Sequence, residues 1–113
     1  MKYIITESKF EKIILKYLDK MFPLKEYRME NHPNVIFFVM NDKVYAEYDT
    51  TDNIFYVSKR LYTSVLGDLE KVFALRVNKC FEYKDAWFEK LIGGPLINVH
   101  YVESLPLPIE RYK

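Results

Sequence analysis

The chain has 113 residues, a formal net charge of +1 and a hydrophobic share of 50%, with ten tyrosines and eight phenylalanines. This composition is typical of one folded domain and excludes a disordered chain. The near-neutral charge argues against a nucleic-acid binder, and the single cysteine excludes an intrachain disulfide.

The segment before Pro23 is predicted to be an amphipathic helix, because charged residues interrupt every run that could form a signal peptide or a membrane span. Ser8 is the predicted N-cap, with Glu11 completing a capping box, and a short edge strand is predicted over Tyr3–Ile5. The apolar stripe falls at helical spacing: Phe10, Ile13, Ile14, Tyr17, Leu18 and Met21. We therefore expect a cytoplasmic protein that is not secreted and does not contact a membrane.

Two features flank this stripe and leave alternatives open. Leu15 and Phe22 broaden the apolar arc, which predicts either a helix sunk deep in its own core or a contact surface for a partner or a second copy. A lysine row lies on the other flank: Lys9, Lys12, Lys16 and Lys20. The lysine row is either a solvated face or a basic patch that binds phosphate or an acidic partner.

The next elements are predicted to form an antiparallel meander. Residues 24–34 are predicted to be a polar connection, residues 35–48 a hairpin with Asn41-Asp42 as its two-residue turn, and residues 54–58 a third strand. The predicted register places three pairs on the face toward the helices: Val39–Val44, Phe37–Ala46 and Val35–Tyr48.

Two further helices are predicted, over residues 59–73 with Ser58 as N-cap and over residues 77–92 with Gly93-Gly94-Pro95 as the stop. The third helix is predicted to bury Val77, Cys80, Phe81, Trp87, Phe88 and Leu91. Alternating residues after Pro95 predict a fourth strand. The fold class is therefore α+β, with an antiparallel sheet of about four strands and three helices mainly on one face.

Residues 1–104 are predicted to form a single α+β domain, followed by an extended, proline-spaced tail over residues 105–113. Leu105, Leu107 and Ile109 form an apolar strip between prolines. The tail either packs on its own domain or docks into another subunit or a partner groove, at low ordering cost because the conformation is preset.

The sequence contains no phosphate loop, zinc spacing or EF-hand, so we assign no catalytic residue, no metal ligand and no cofactor. Lys84 is unusual because it projects from the apolar face of the third helix. It either snorkels to water or pairs with a carboxylate in a pocket. A pocket near Lys84, Cys80 and His100 is the alternative functional site, although Cys80 by itself is expected to be an inert buried thiol.

Scattered short motifs indicate a resemblance. The opening Met1-Lys2-Tyr3-Ile4-Ile5-Thr6-Glu7-Ser8 and four later pieces carry it: Val57-Ser58, Leu61-Tyr62, Phe73-x-Leu75 and Trp87-Phe88-Glu89. Together these stretches are similar to small proteins of large tailed bacteriophages. The resemblance implies a location in the infected host cytoplasm or the virion, and it transfers no activity and no site residue.

The sequence favours a non-enzymatic protein–protein interaction module, either a virion component or an accessory protein that binds a host factor. The expected partner surfaces are the wide arc of the first helix (Leu15, Phe22) and the tail (Leu105, Leu107, Ile109). The alternative is a small ligand-binding or enzymatic domain with the Lys84 pocket. A nucleic-acid binder using the lysine row is the third hypothesis.

Overall fold

The computed structural model describes residues 7–113. In chain order these residues form α1 (Glu7–Met21), β1 (Lys25–Met29), β2 (His32–Met40), β3 (Lys43–Asp49), β4 (Ile54–Ser58), α2 (Lys59–Phe73), α3 (Val77–Ile92), β5 (Asn98–Val102), β6 (Leu107–Pro108) and a 3₁₀ helix (Ile109–Tyr112). The predicted α+β class is confirmed, with more strands than the four expected. The predicted strand over Tyr3–Ile5 lies outside the described residues.

The sheet has the strand order β1-β2-β3-β4-β5, with β6 paired to the start of β3. Strands β1 to β4 are antiparallel neighbours, whereas β5 joins β4 in parallel after the crossover through α2 and α3. The prediction of a polar connection over residues 24–34 is wrong, because β1 lies there. Its exposed side chains lack the alternation that marks a half-buried strand.

Local signals place the start of α2, the end of α3 and the hairpin turn as predicted. The Ser58 hydroxyl accepts a hydrogen bond from the Leu61 N–H at 3.3 Å and caps α2. Gly93 closes α3 with a φ of 76°, and the turn residues Asn41 and Asp42 both have positive φ, as a two-residue hairpin turn requires. No helix within residues 7–113 is long and apolar enough to cross a membrane.

The predicted hairpin register is wrong beyond the Val39–Val44 pair. One step along β2, from Val39 to Phe38, corresponds to two steps along β3, so Phe38 and not Phe37 lies opposite Ala46. The extra residue is Tyr45 of β3, so β2 keeps its regular alternation, whereas Ala46 and Tyr48 face the side of the sheet opposite to Val44. Of the six residues predicted to face the helices, Ala46 and Tyr48 do so, and four lie on the other face: Val35, Phe37, Val39 and Val44.

The main core lies between the helices and one face of the sheet. It is built from Ile14 and Leu18 of α1, three residues of α2 and the buried face of α3, packed on aromatic and aliphatic residues of β2 to β4. Two assignments on α3 need correction, because Val77 is 67% exposed in the first turn and Phe81 is 39% exposed at the margin of the buried stripe. Tyr83 and Lys84 are buried there instead.

The first helix also departs from the prediction at its margins. Ser8 lies inside α1, whose described part begins at Glu7, so it does not serve as the N-cap. Ile13 and Met21, assigned to the apolar stripe, are exposed. Both lie at the edges of the helix face, of which Ile14 and Leu18 are the buried centre.

A second, smaller core covers the other face of the sheet. The tail supplies Leu105 and Ile109, which are buried against Phe37 and Val44, while Leu107 is half-buried where β6 pairs with β3. The buried Ser58 hydroxyl also donates to the Leu105 carbonyl at 3.1 Å. The structure therefore packs the tail on its own domain, as the first of the two alternatives for this segment describes.

Candidate functional site

The two edges of the sheet differ in charge. Strand β1 presents Lys25, Glu26 and Arg28, and charged side chains on an edge discourage pairing with a further strand. Strand β5, Asn98–Val102, contains no Asp, Glu, Lys or Arg. The preceding residue, Ile97, has a side chain that is 71% exposed. Within residues 7–113, β5 pairs with β4 alone, so its second edge is open in the described part of the chain.

Aromatic pairs flank β5 on both faces of the sheet. On the helix side, the Tyr101 ring lies 4.0 Å from the Tyr62 ring of α2, and Phe81 of α3 stacks on Tyr62 at 6.5 Å. On the outer face, His100 stacks on Tyr56 of β4 at 5.6 Å. Rings beside an open strand edge offer apolar contact area at little cost in side-chain entropy.

We call this site the β5 edge surface and define it by the open edge of Asn98–Val102, Tyr62 and Phe81 on the helix side, and Tyr56 on the outer face. It is a surface of backbone donors and acceptors bordered by rings. Such a surface can bind an extended chain through main-chain hydrogen bonds.

Lys84 lies behind the helix side of this surface and is 5% exposed. Its ammonium donates to the Tyr101 hydroxyl at 2.6 Å and contacts a carboxylate oxygen of Asp85 at 2.9 Å. Four rings surround Nζ at centroid distances of 5.0 to 5.7 Å: Tyr62, Phe81, Phe88 and Tyr101. Burial lowers the pKa of Lys84, but the bonds to Tyr101 and Asp85 outweigh burial and leave that pKa raised, so the group is an ammonium ion at neutral pH.

The structure does not bring together the three residues of the predicted pocket. Lys84 pairs with a carboxylate, as one alternative proposed, but His100 lies on the opposite face of the sheet because it neighbours the inward-facing Tyr101 on the strand. Cys80 lies one turn before Lys84 and donates to the Leu75 carbonyl at 3.7 Å. Burial raises the pKa of the Cys80 thiol, which makes it less reactive at neutral pH.

The residues predicted as partner surfaces on α1 divide into two groups. Leu15 and Phe22 are half-buried and pack against the main core, as the alternative of a deeply sunk helix describes. All four members of the lysine row are exposed on the side of α1 away from that core: Lys9, Lys12, Lys16 and Lys20. The lysine row and the β5 edge surface are therefore separate surfaces of the molecule.

Tyr112 fastens the tail to the outer face of the sheet. Its hydroxyl donates to Glu47 at 2.9 Å, its ring packs 4.9 Å from the ring of Phe37, and its carbonyl accepts from Asn31 at 2.8 Å and lies 3.2 Å from His32 Nε2. Burial and the neighbouring Glu47 carboxylate raise the pKa of Tyr112. The tail thus covers β2 and β3 on this face and leaves the exposed His100 uncovered beside it.

A scan against protein-family models finds no match for this chain, and searches of curated proteins and of solved structures find none either. The resemblance to phage proteins stays a prediction. The candidate site therefore rests on topology, charge and contact geometry.

Proposed function

We propose that this chain is a protein-interaction module that binds an extended segment of a partner protein by strand addition at the β5 edge surface. The main support is the contrast between an uncharged open edge at β5 and the charged edge at β1. A strand placed beside β5 would satisfy backbone N–H and C=O groups that no strand within residues 7–113 pairs with. Main-chain hydrogen bonds of this kind supply affinity, and side-chain contacts supply specificity.

The side chains along β5 define which segments would bind. Successive residues of an added strand alternate between the faces, so every second side chain meets Val99 and Tyr101 on the helix side. The remaining side chains meet Asn98 and His100 on the outer face, where both are exposed. We therefore expect apolar or aromatic residues at alternate positions facing the helices and neutral polar residues between them.

A selection from a random library of linear peptides tests this proposal. We expect the selected peptides to carry the alternating pattern and to lose binding when amides that face β5 are N-methylated, because N-methylation removes the donor and blocks pairing. Peptides N-methylated at the intervening amides serve as matched controls and should keep binding. Equal binding by both methylated series would show that no strand is added.

Variants of the protein locate the binding edge. His100→Lys places a charge on the exposed side of β5, as the charged residues do on β1, so it should abolish peptide binding with only a small loss of stability from the lost stack on Tyr56. Tyr27→Lys, at the centre of β1, is the matched control and should bind normally. Binding that survives His100→Lys and is lost in Tyr27→Lys would contradict the proposal.

A further inference from the structure

We infer that one partner of the β5 edge surface is a second copy of this chain, which pairs its own β5 in antiparallel orientation around a two-fold axis through His100. This inference rests on the proposed function, since it uses the same open edge. Two six-stranded sheets would then join into one continuous sheet across the axis.

The residues of β5 make this pairing self-complementary. A two-fold axis perpendicular to the sheet keeps the helices of both copies on the same side, so paired residues must face the same side. Centring the axis on His100 meets this condition and uses all five residues of the strand. The resulting pairs are Asn98–Val102, Val99–Tyr101 and His100–His100, each between the two copies.

The side-chain chemistry of these pairs is compatible with association. On the helix side, a β-branched Val99 meets an aromatic Tyr101, which is a favourable cross-strand pair. The five residues of β5 include no Asp, Glu, Lys or Arg, so the pairing places no two permanently charged side chains of the same sign against each other. A single strand pair is small for an interface, and we therefore expect a concentration-dependent dimer instead of a permanent one.

The pairing can be tested directly at the two-fold axis, because residue 100 of one copy lies opposite residue 100 of the other. His100→Lys alone and His100→Glu alone each place like charges against each other, and each should weaken self-association by roughly tenfold or more. An equal mixture of the two variants places opposite charges together and should restore the dimer. Sedimentation equilibrium over a concentration series measures the rise from the 13.7 kDa of one chain toward twice that mass.

Tyr27→Lys and Tyr27→Glu are the matched controls, since Tyr27 is the central residue of β1. A dimer joined through β1 would be weakened by these variants and not by the variants at residue 100. Restoration by mixing the residue-100 variants, with no effect at residue 27, supports the inference. A wild-type chain that keeps the mass of one copy at every concentration overturns it, as does a dimer insensitive to both residue-100 variants.

The peptide experiment separates failure of this inference from failure of the proposed function. If wild-type protein remains a single copy while strand-forming peptides bind at β5, the inference is wrong and the proposed function stands. If no peptide binds at β5 and the protein is a single copy, both are wrong. When both hold, a β5-binding peptide should dissociate the dimer, because the two compete for one edge.

Discussion

The Lys84–Tyr101 pair allows a quantitative test of how the helix side of the β5 edge surface is held together. Tyr101→Phe keeps the ring and removes the hydroxyl that accepts from the ammonium at 2.6 Å. A hydrogen bond to a charged group contributes about 1.5–3 kcal/mol. Lys84 remains paired with Asp85, so the variant avoids the about 3–5 kcal/mol cost of an unpaired buried charge. We expect a loss of about 2 kcal/mol in the free energy of unfolding.

Lys84→Met reports on the same pair from the other side. It removes the ammonium from its four rings, which costs about 0.5–2 kcal/mol, and it leaves the Tyr101 hydroxyl without its partner, which costs about 1–3 kcal/mol. The dehydration penalty of the ammonium is removed at the same time and offsets part of this loss. We expect a net loss of about 1–2 kcal/mol.

The double variant completes the cycle. With both polar groups gone, it should be no less stable than either single variant, which gives a coupling energy of at least about 2 kcal/mol. Urea unfolding followed by the fluorescence of the single, fully buried Trp87 measures each value. Lys113→Met, an exposed lysine, is the control and should change stability by less than about 0.5 kcal/mol. Additive effects, or a Lys84→Met variant more stable than wild type, would refute this reasoning.

The free energy of unfolding should fall as pH rises above about 10, because the raised pKa values of Tyr112 and Lys84 mean that the folded chain keeps protons that the unfolded chain releases; thermal melts across this range should show it, and a flat midpoint would contradict it. Ser58→Ala should cost about 2 kcal/mol in urea, since it removes the α2 cap and the bond to the Leu105 carbonyl; a neutral effect would show that neither bond matters. Leu105→Ala should cost about 2–5 kcal/mol within a single unfolding transition, whereas a loss below about 0.5 kcal/mol would mean that the tail is not part of the core.

Signals that act within a few residues of the chain predicted the α+β class and the ends of α2 and α3 correctly. Ser58 caps α2 and Gly93 ends α3 because each satisfies helix-end groups with its own atoms or backbone angles. The hairpin register was not predictable in the same way. The register shifts between Phe38 and Val39 because β3 contains one extra residue, Tyr45, and no glycine or other turn residue marks this position in the sequence. The shift is consistent with the packing of the two sheet faces, which involves residues far apart in the chain.

The candidate site was only partly predictable. The strand β5 was predicted, but its position at an edge follows from the α2–α3 crossover, which no local pattern specifies. The pocket hypothesis placed His100 beside Lys84, whereas in the structure it is Tyr101 that accepts a hydrogen bond from Lys84. A difference of one residue reverses the face on a strand, so this distinction needed the strand orientation as well as its location.

Residue-resolved amide hydrogen exchange, measured over a range of protein concentrations, tests directly whether the β5 edge is open and pairs with a second copy. We expect alternate amides within Asn98–Val102 to exchange rapidly at the lowest concentration, because they face an open edge, and to become protected as concentration rises. The amides of β1 serve as an internal reference and should not change. Slow exchange throughout β5 in the most dilute sample, or rapid exchange at every concentration, would contradict an open edge that pairs with a second copy.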